Sequence, residues 1–95
     1  MKKPETVFKE HVLKDLRSLK GIWVKKIQSV SVRGIPDILA CINGHFVAIE
    51  LKVDSPLEPL QDYELSRIQK AKGLALIASP STWSKQFNEL KALTS

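Results

Sequence analysis

The sequence predicts a mixed α/β sandwich, a central sheet with helices packed on its faces. Three observations lead there. Apolar residues recur at helical spacing in three separate segments. Between the first two segments lie three β-rich stretches, two of them joined by Asn43-Gly44, the strongest short-range hairpin signal. A short apolar stretch, Leu74 to Ala78, separates the second helical segment from the third. The resulting order is helix, strand, strand, strand, helix, strand, helix.

The first helix is expected from Pro4 to Lys20. Proline suits a first helical position. Phe8, Val12, Leu13, Leu16 and Leu19 form one stripe, and Gly21 is a candidate C-terminal cap. Ile22 to Val30 reads as a strand with imperfect alternation at Lys25, Lys26 and Gln28, which suggests an edge or a bulge. Ser31 to Ile35 reads as a loop. Asp37 to Ile42 and His45 to Val53 are the two arms of the hairpin, and Asp54, Ser55 and Pro56 break the second arm. Pro59 to Lys72 is the second helix, with Leu60, Leu65, Ile68 and Ala71 on or near one face and Gly73 closing it. Leu74 to Ala78 suits a buried sheet position. Ser79-Pro80 then reads as an N-cap and first-turn proline. The last helix runs to about Leu93 with Trp83, Phe87 and Leu90 facing inward. The connection between the third and fourth strands is a crossover, right-handed by default.

Composition bounds the function. With 95 residues and 43% hydrophobic content, a single domain over 1–95 with one small core is expected. The one cysteine, Cys41, excludes an internal disulfide and a thiolate zinc site, and fits a reducing compartment. The N-terminal Met-Lys-Lys-Pro-Glu has no apolar stretch of the kind a signal peptide needs. No stretch is long enough to span a membrane. A soluble protein of the cytoplasm of a bacterial or phage-infected cell, with no membrane partner, is therefore expected. Fifteen Lys+Arg against ten Asp+Glu give a net charge of +5, which permits a nucleic-acid partner without requiring one.

The hairpin brings chemistry together. A two-residue loop at Asn43-Gly44 sets Ile42 opposite His45, and counting back sets Asp37 opposite Glu50. Opposed residues share a face with Cβ atoms roughly 4.5–5.5 Å apart. Lys52, two residues on, joins that face. Opposed carboxylates repel, and a divalent cation between them removes the conflict; hard oxygen ligands suit Mg²⁺ or Mn²⁺. Leu51 lies between Glu50 and Lys52 with its side chain on the other face and its carbonyl available as a further ligand. In the third strand Val47, Ile49 and Leu51 form an apolar face. Phe46, Ala48, Glu50 and Lys52 form one that starts apolar and ends charged, as in a strand leaving a core for a cleft. Acids and lysines near strand ends are commonly solvated, but the whole set on one face beside Pro36 argues for a site.

Gly34-Ile35-Pro36-Asp37 followed by Glu50-Leu51-Lys52 resembles the PD-(D/E)XK nuclease signature. More narrowly, the chain resembles the VRR-NUC family, the virus-type replication-repair nucleases, over nearly its whole length. The resemblance takes in Glu5, the loop from Arg33 to Asp37, Phe46 to Lys52, Gln61, and the apolar strand after Gly73. It implies a restriction-endonuclease-like core and a Mg²⁺-dependent phosphodiesterase acting on DNA. Asp37, Glu50 and the Leu51 carbonyl would be metal ligands. Lys52 would orient or activate the attacking water, and Gln61 would position water or substrate. Glu5 would be the helix-borne acid that completes the shell. Glu10 is a rival to Glu5, but it falls beside Lys14 and Arg17 on the exposed side, where helix-surface pairs form. Gln61 also reads plainly as a first-turn polar residue.

Other residues carry less. His11 and His45 do not suggest a catalytic pair, and Ser29 and Ser31 lack a base partner. Cys41 shares the face of Asp37 but lies toward the turn, where packing is its expected role. Trp23, Trp83 and Phe87 read as core. Lys2, Lys3, Lys25, Lys26 and Arg33 are candidates for phosphate contacts. The resemblance implies a DNA endonuclease specific for branched substrates such as Holliday junctions. A homodimer presenting two equivalent sites suits paired incisions. The competing expectations are a DNA-binding module without activity, or a nickase or exonuclease subunit of a larger phage or repair complex.

Overall fold

The computed structural model describes residues 1–28 and 33–95. Its elements are α1 (Pro4–Arg17), β1 (Ile22–Lys26), β2 (Ile38–Ile42), β3 (His45–Leu51), α2 (Pro59–Lys70), β4 (Leu74–Ala78) and α3 (Trp83–Lys91), followed by a 3₁₀ turn at Ala92–Thr94. Asn43 and Gly44 take φ of 50° and 87°, the left-handed pair that a two-residue hairpin turn needs to match strand twist. This turn joins β2 to β3 with Ile42 opposite His45 and Ile38 opposite Ile49. β1 adds antiparallel to the outside of β2, and β4 adds parallel to β3. The described residues thus form one four-stranded mixed sheet in the order β1-β2-β3-β4.

Register divides the sheet into two faces. Ile38, Ala40 and Ile42 share a face with Val47 and Ile49. They pack with Phe8, Val12, Leu13 and Leu16 of α1 and with Trp83 and Leu90 of α3. Full burial of each large aliphatic side chain contributes about 1.5–3 kcal/mol, so this face supplies most of the stability. The second face carries Leu39, Cys41, Phe46, Ala48 and Glu50 and lies under α2. A Cβ on Gly73 would stand 2.8 Å from the Ile68 side chain of α2 and 3.0 Å from the Phe46 ring, so any larger residue there would have to displace them.

Several boundaries differ from the sequence-based expectation, each for a local reason. α1 stops at Arg17, not Lys20, because Ser18 turns both its amide and its hydroxyl onto the Asp15 carbonyl (3.1 and 2.6 Å), a local alternative to helix propagation. β1 ends at Lys26. Val30 and Ser29 of the expected strand, and Ser31 and Val32 of the expected loop, lie outside the described residues. α2 ends at Lys70, and Lys72, not a glycine, takes the left-handed position at φ 76°. The amides of Lys72 and Gly73 bond the carbonyls of Gln69 and Ile68 (3.0 and 2.9 Å), a Schellman closure.

Ser79-Pro80 opens a turn, not the last helix. The Ser79 carbonyl accepts the amides of Thr82 and Trp83, both at 3.0 Å, and α3 begins only at Trp83. β4 is an edge strand, not a buried one: Leu74 is 39% and Ile77 45% exposed. Its outward Ile77 carbonyl accepts Gln86 Nε2 of α3 at 3.0 Å, which blunts the edge. Trp83 and Phe87 pack against the core as expected. Trp23 does not; it is 52% exposed, on the second face of edge strand β1. On α2, Leu65 is buried, whereas Leu60 and Ala71 are exposed.

Candidate functional site

Pro36 is buried and carries the chain into β2. One ladder step before the Ile38–Ile49 pair, Asp37 stands across from Glu50 on the second face. Backbone holds Asp37 from both sides. Its carbonyl accepts the amide of Ile27 at 2.8 Å, and its Oδ2 accepts the amide of Leu51 at 2.8 Å. A carboxylate thus takes over where the strand ladder would otherwise continue, which aims it along the end of β3.

Glu50 is 3% exposed and is the one buried charged residue among those described. Gln61 Nε2 donates to its Oε2 at 3.0 Å, and Lys52 Nζ lies 3.7 Å from the same oxygen. Gln61 is itself oriented: its Oε1 accepts the Glu58 amide at 3.0 Å. A backbone N–H can only donate, so the amide's NH₂ end must face the carboxylate. Burial, and then the neighbouring Asp37, raise the Glu50 carboxyl from 4.5 to about 7, with Lys52 pulling the other way. The repulsion anticipated from the register is therefore present, and Lys52 offsets only part of it.

A third element closes the site. Gly34 has φ 84°, and a Cβ there would fall 2.6 Å from the Leu60 carbonyl. The Gly34–Pro36 loop can lie on the first turn of α2 only because that position has no side chain. The loop, the open end of the hairpin and the start of α2 thus bring Asp37, Glu50, Lys52 and Gln61 together. Two contacts escaped the sequence reading. Leu51 brings its amide to Asp37, and Glu58 orients Gln61. The second had a signal, since Glu58 stands three residues before Gln61 at the spacing of a reciprocal N-terminal cap.

Other expected residues stand elsewhere. Glu5 is exposed, in a shallow depression with Thr6, Lys9, Lys26 and Gln28. Among the described residues no three His, Cys, Asp or Glu side chains form a metal-binding group. Glu10 is an exposed residue paired with Lys2 at 2.8 Å. Lys25 is exposed on the second face of β1, Lys26 on the first, and Arg33 is exposed ahead of Gly34. His45 is exposed at the hairpin, and His11 sits 3.3 Å from Asp15 on α1. Asp15 also accepts Trp83 Nε1 at 2.8 Å.

The adjacent Asp37 and Glu50 carboxylates form a hard-oxygen donor set that suits a divalent cation of the Mg²⁺ or Mn²⁺ class. No protein-family model and no curated protein matches the chain. None of the described helices is long and apolar enough to cross a membrane.

Proposed function

We propose that this chain is a Mg²⁺-dependent endonuclease that hydrolyses DNA phosphodiester bonds, built on a restriction-endonuclease-like core of the VRR-NUC type. The observation that carries the proposal is Asp37 beside the buried Glu50, with Lys52 and Gln61 converging on one oxygen of Glu50. A fold gains no stability from two acids so placed, and a bound dication turns their repulsion into coordination. Mg²⁺, with Mn²⁺ able to substitute, would supply Lewis acidity at the scissile phosphate and acidify a water.

The chain's own groups would do the rest. Asp37, fixed by the Leu51 amide, presents a carboxylate of set direction. Glu50 is held by Gln61 through one oxygen, and it would hold the cation together with Asp37. The Leu51 carbonyl is a further proposed ligand. Lys52 brings a positive charge to the place where a phosphate approaches, orients the attacking water and stabilises charge that develops on the phosphate. Glu5 as the acid completing the shell rests on the resemblance alone. The homodimer and the preference for branched DNA rest on that resemblance and on the fit of a two-fold pair of sites to paired incisions.

The test uses labelled linear duplex, flap and four-way junction DNA with Mg²⁺ or EDTA, beside Asp37→Asn and Lys52→Ala. Cutting in Mg²⁺ that falls at least about 10³-fold in both variants is the expected result. Tight binding with no cutting in any divalent metal would instead make the chain a non-catalytic DNA-binding module. Light scattering that finds only monomer at working concentration removes the paired-incision reading and leaves a nickase or a subunit of a larger complex.

A further inference from the structure

Two depressions run end to end between α1 and edge strand β1. One, of about 460 Å³, is lined by Leu13, Lys14, Arg17 and Lys26 among others. The next, of about 240 Å³, is lined by Glu5, Thr6, Lys9, Lys26 and Gln28. Lys26 lines both, so the two adjoin along the α1–β1 groove. From Thr6 to Arg17 it follows α1 for about 17 Å at 1.5 Å per residue.

Four cations line this groove, and among the described residues none of them is in an ion pair. Of its two acids, Glu10 is already neutralised, with both carboxylate oxygens 2.8 Å from Lys2 Nζ. That leaves Glu5 against Lys9, Lys14, Arg17 and Lys26. The helix dipole accounts for Lys14 and Arg17, which sit in the last turn of α1. It does not account for Lys9, in mid-helix, or for Lys26, on a strand. Like charges gathered along one channel repel unless a polyanion lies between them.

The groove also leads somewhere. It ends at Gln28, next to Ile27, whose amide bonds the Asp37 carbonyl. The groove therefore reaches the backbone beside Asp37, at the start of β2.

We infer that the α1–β1 groove, through Lys9, Lys14, Arg17 and Lys26, holds the phosphodiester backbone of a nucleic acid next to the stretch that enters the active site. This rests on the nuclease reading above and assigns its substrate a path. A 17 Å groove spans about five steps of 3.4 Å along one strand, long enough for several phosphates. The cationic lining reaches phosphates and reads no base edge, so the contact positions any sequence equally.

Binding is measured in EDTA by fluorescence anisotropy, so chemistry does not enter. The probes are labelled duplex DNA, a four-way junction and duplex RNA across a salt series. The groove variant is Lys14→Gln/Arg17→Gln/Lys26→Gln. Its charge-matched control is Lys70→Gln/Lys85→Gln/Lys91→Gln on α2 and α3, with thermal melts checking that both fold. The expected result is a Kd at least about tenfold weaker for the groove variant, with the log–log salt slope reduced by about 2–3. The control should change Kd by less than about threefold. Equal losses in the two triple variants would reduce the effect to net charge and overturn the groove. Wild-type binding by the groove variant, with cleavage still lost in Asp37→Asn, would overturn the groove and leave the nuclease reading standing. A wild-type protein that binds no nucleic acid at low salt would overturn both. RNA binding equal to DNA binding supports the groove as a reader of backbone charge; binding confined to DNA supports it as a reader of duplex form.

Discussion

The two faces of the sheet are made by the same strands and serve different ends. On one, Ile38, Ala40, Ile42, Val47 and Ile49 have no exposed surface, sealed under α1 and α3. On the other, Leu39 and Cys41 are half-buried, Phe46 is exposed, and the row ends at buried Glu50. Two helices, α1 and α3, cover the first face, and α2 covers the second. The contrast separates stability from chemistry within one 95-residue unit. Apolar packing on one side can hold an electrostatically unfavourable arrangement on the other.

The sharpest way to probe this division is Ile49→Ala. It removes a fully buried side chain from the sealed face and should cost about 2–5 kcal/mol. Leu39→Ala, across the sheet, should cost under half as much. Urea unfolding measures both, and equal losses would break the contrast. Gly34→Ala comes next. A Cβ there meets the Leu60 carbonyl at 2.6 Å and sits at positive φ. About 1–3 kcal/mol of destabilisation is expected, with the cleft distorted through α2; a variant as stable as wild type would show that the loop does not press on α2.

The carboxylate pair makes a third test through pH. The Glu50 carboxyl is raised to about 7 in the folded chain. A raised acid binds its proton more tightly folded than unfolded, so the folded state is penalised above pH about 7 and relieved as pH falls toward 4.5. The metal-free protein should thus gain stability between about pH 8 and pH 5. Glu50→Gln should flatten that slope and raise Tm at about pH 8 by roughly 5 °C. Adding Mg²⁺ should stabilise wild type at pH 8 and lose effect as protons compete for the site. A melting series that falls steadily toward low pH would contradict the arrangement. Gln61→Ala removes a hydrogen bond to a buried carboxylate and should cost about 1 kcal/mol. Its Mg²⁺ midpoint, read from thermal shift, should rise more than its stability falls. The smallest effect belongs to Trp23→Thr, expected within about 0.5 kcal/mol by urea unfolding because the side chain is half in water.

How much of this was legible beforehand depended on the range of the interaction. Asn43-Gly44 specified a turn type, the turn type specified register, and register set Asp37 against Glu50 some 13 residues away in sequence, as the Ile42–His45 and Ile38–Ile49 pairs show. Alternation along β3 placed Val47 and Ile49 in the core and Glu50 on the opposite face. These are local rules, with periods of two residues and a turn of two. Helix ends were less legible, because Ser18 and Lys72 ended α1 and α2 through hydrogen bonds that compete closely with one more helical turn.

What the sequence by itself determined is the hairpin, its register and the acid pair with Lys52 on one face, because turn chemistry and pleat act between near neighbours. Only the tertiary structure decided which helix covers which face. That choice put Gln61 on Glu50, left Glu5 in the groove beside Lys26, exposed Trp23, and made the apolar β4 an edge. The physical reason is that helix-on-sheet packing is decided by the sum of many weak apolar contacts across the whole layer. No single residue or spacing carries that sum.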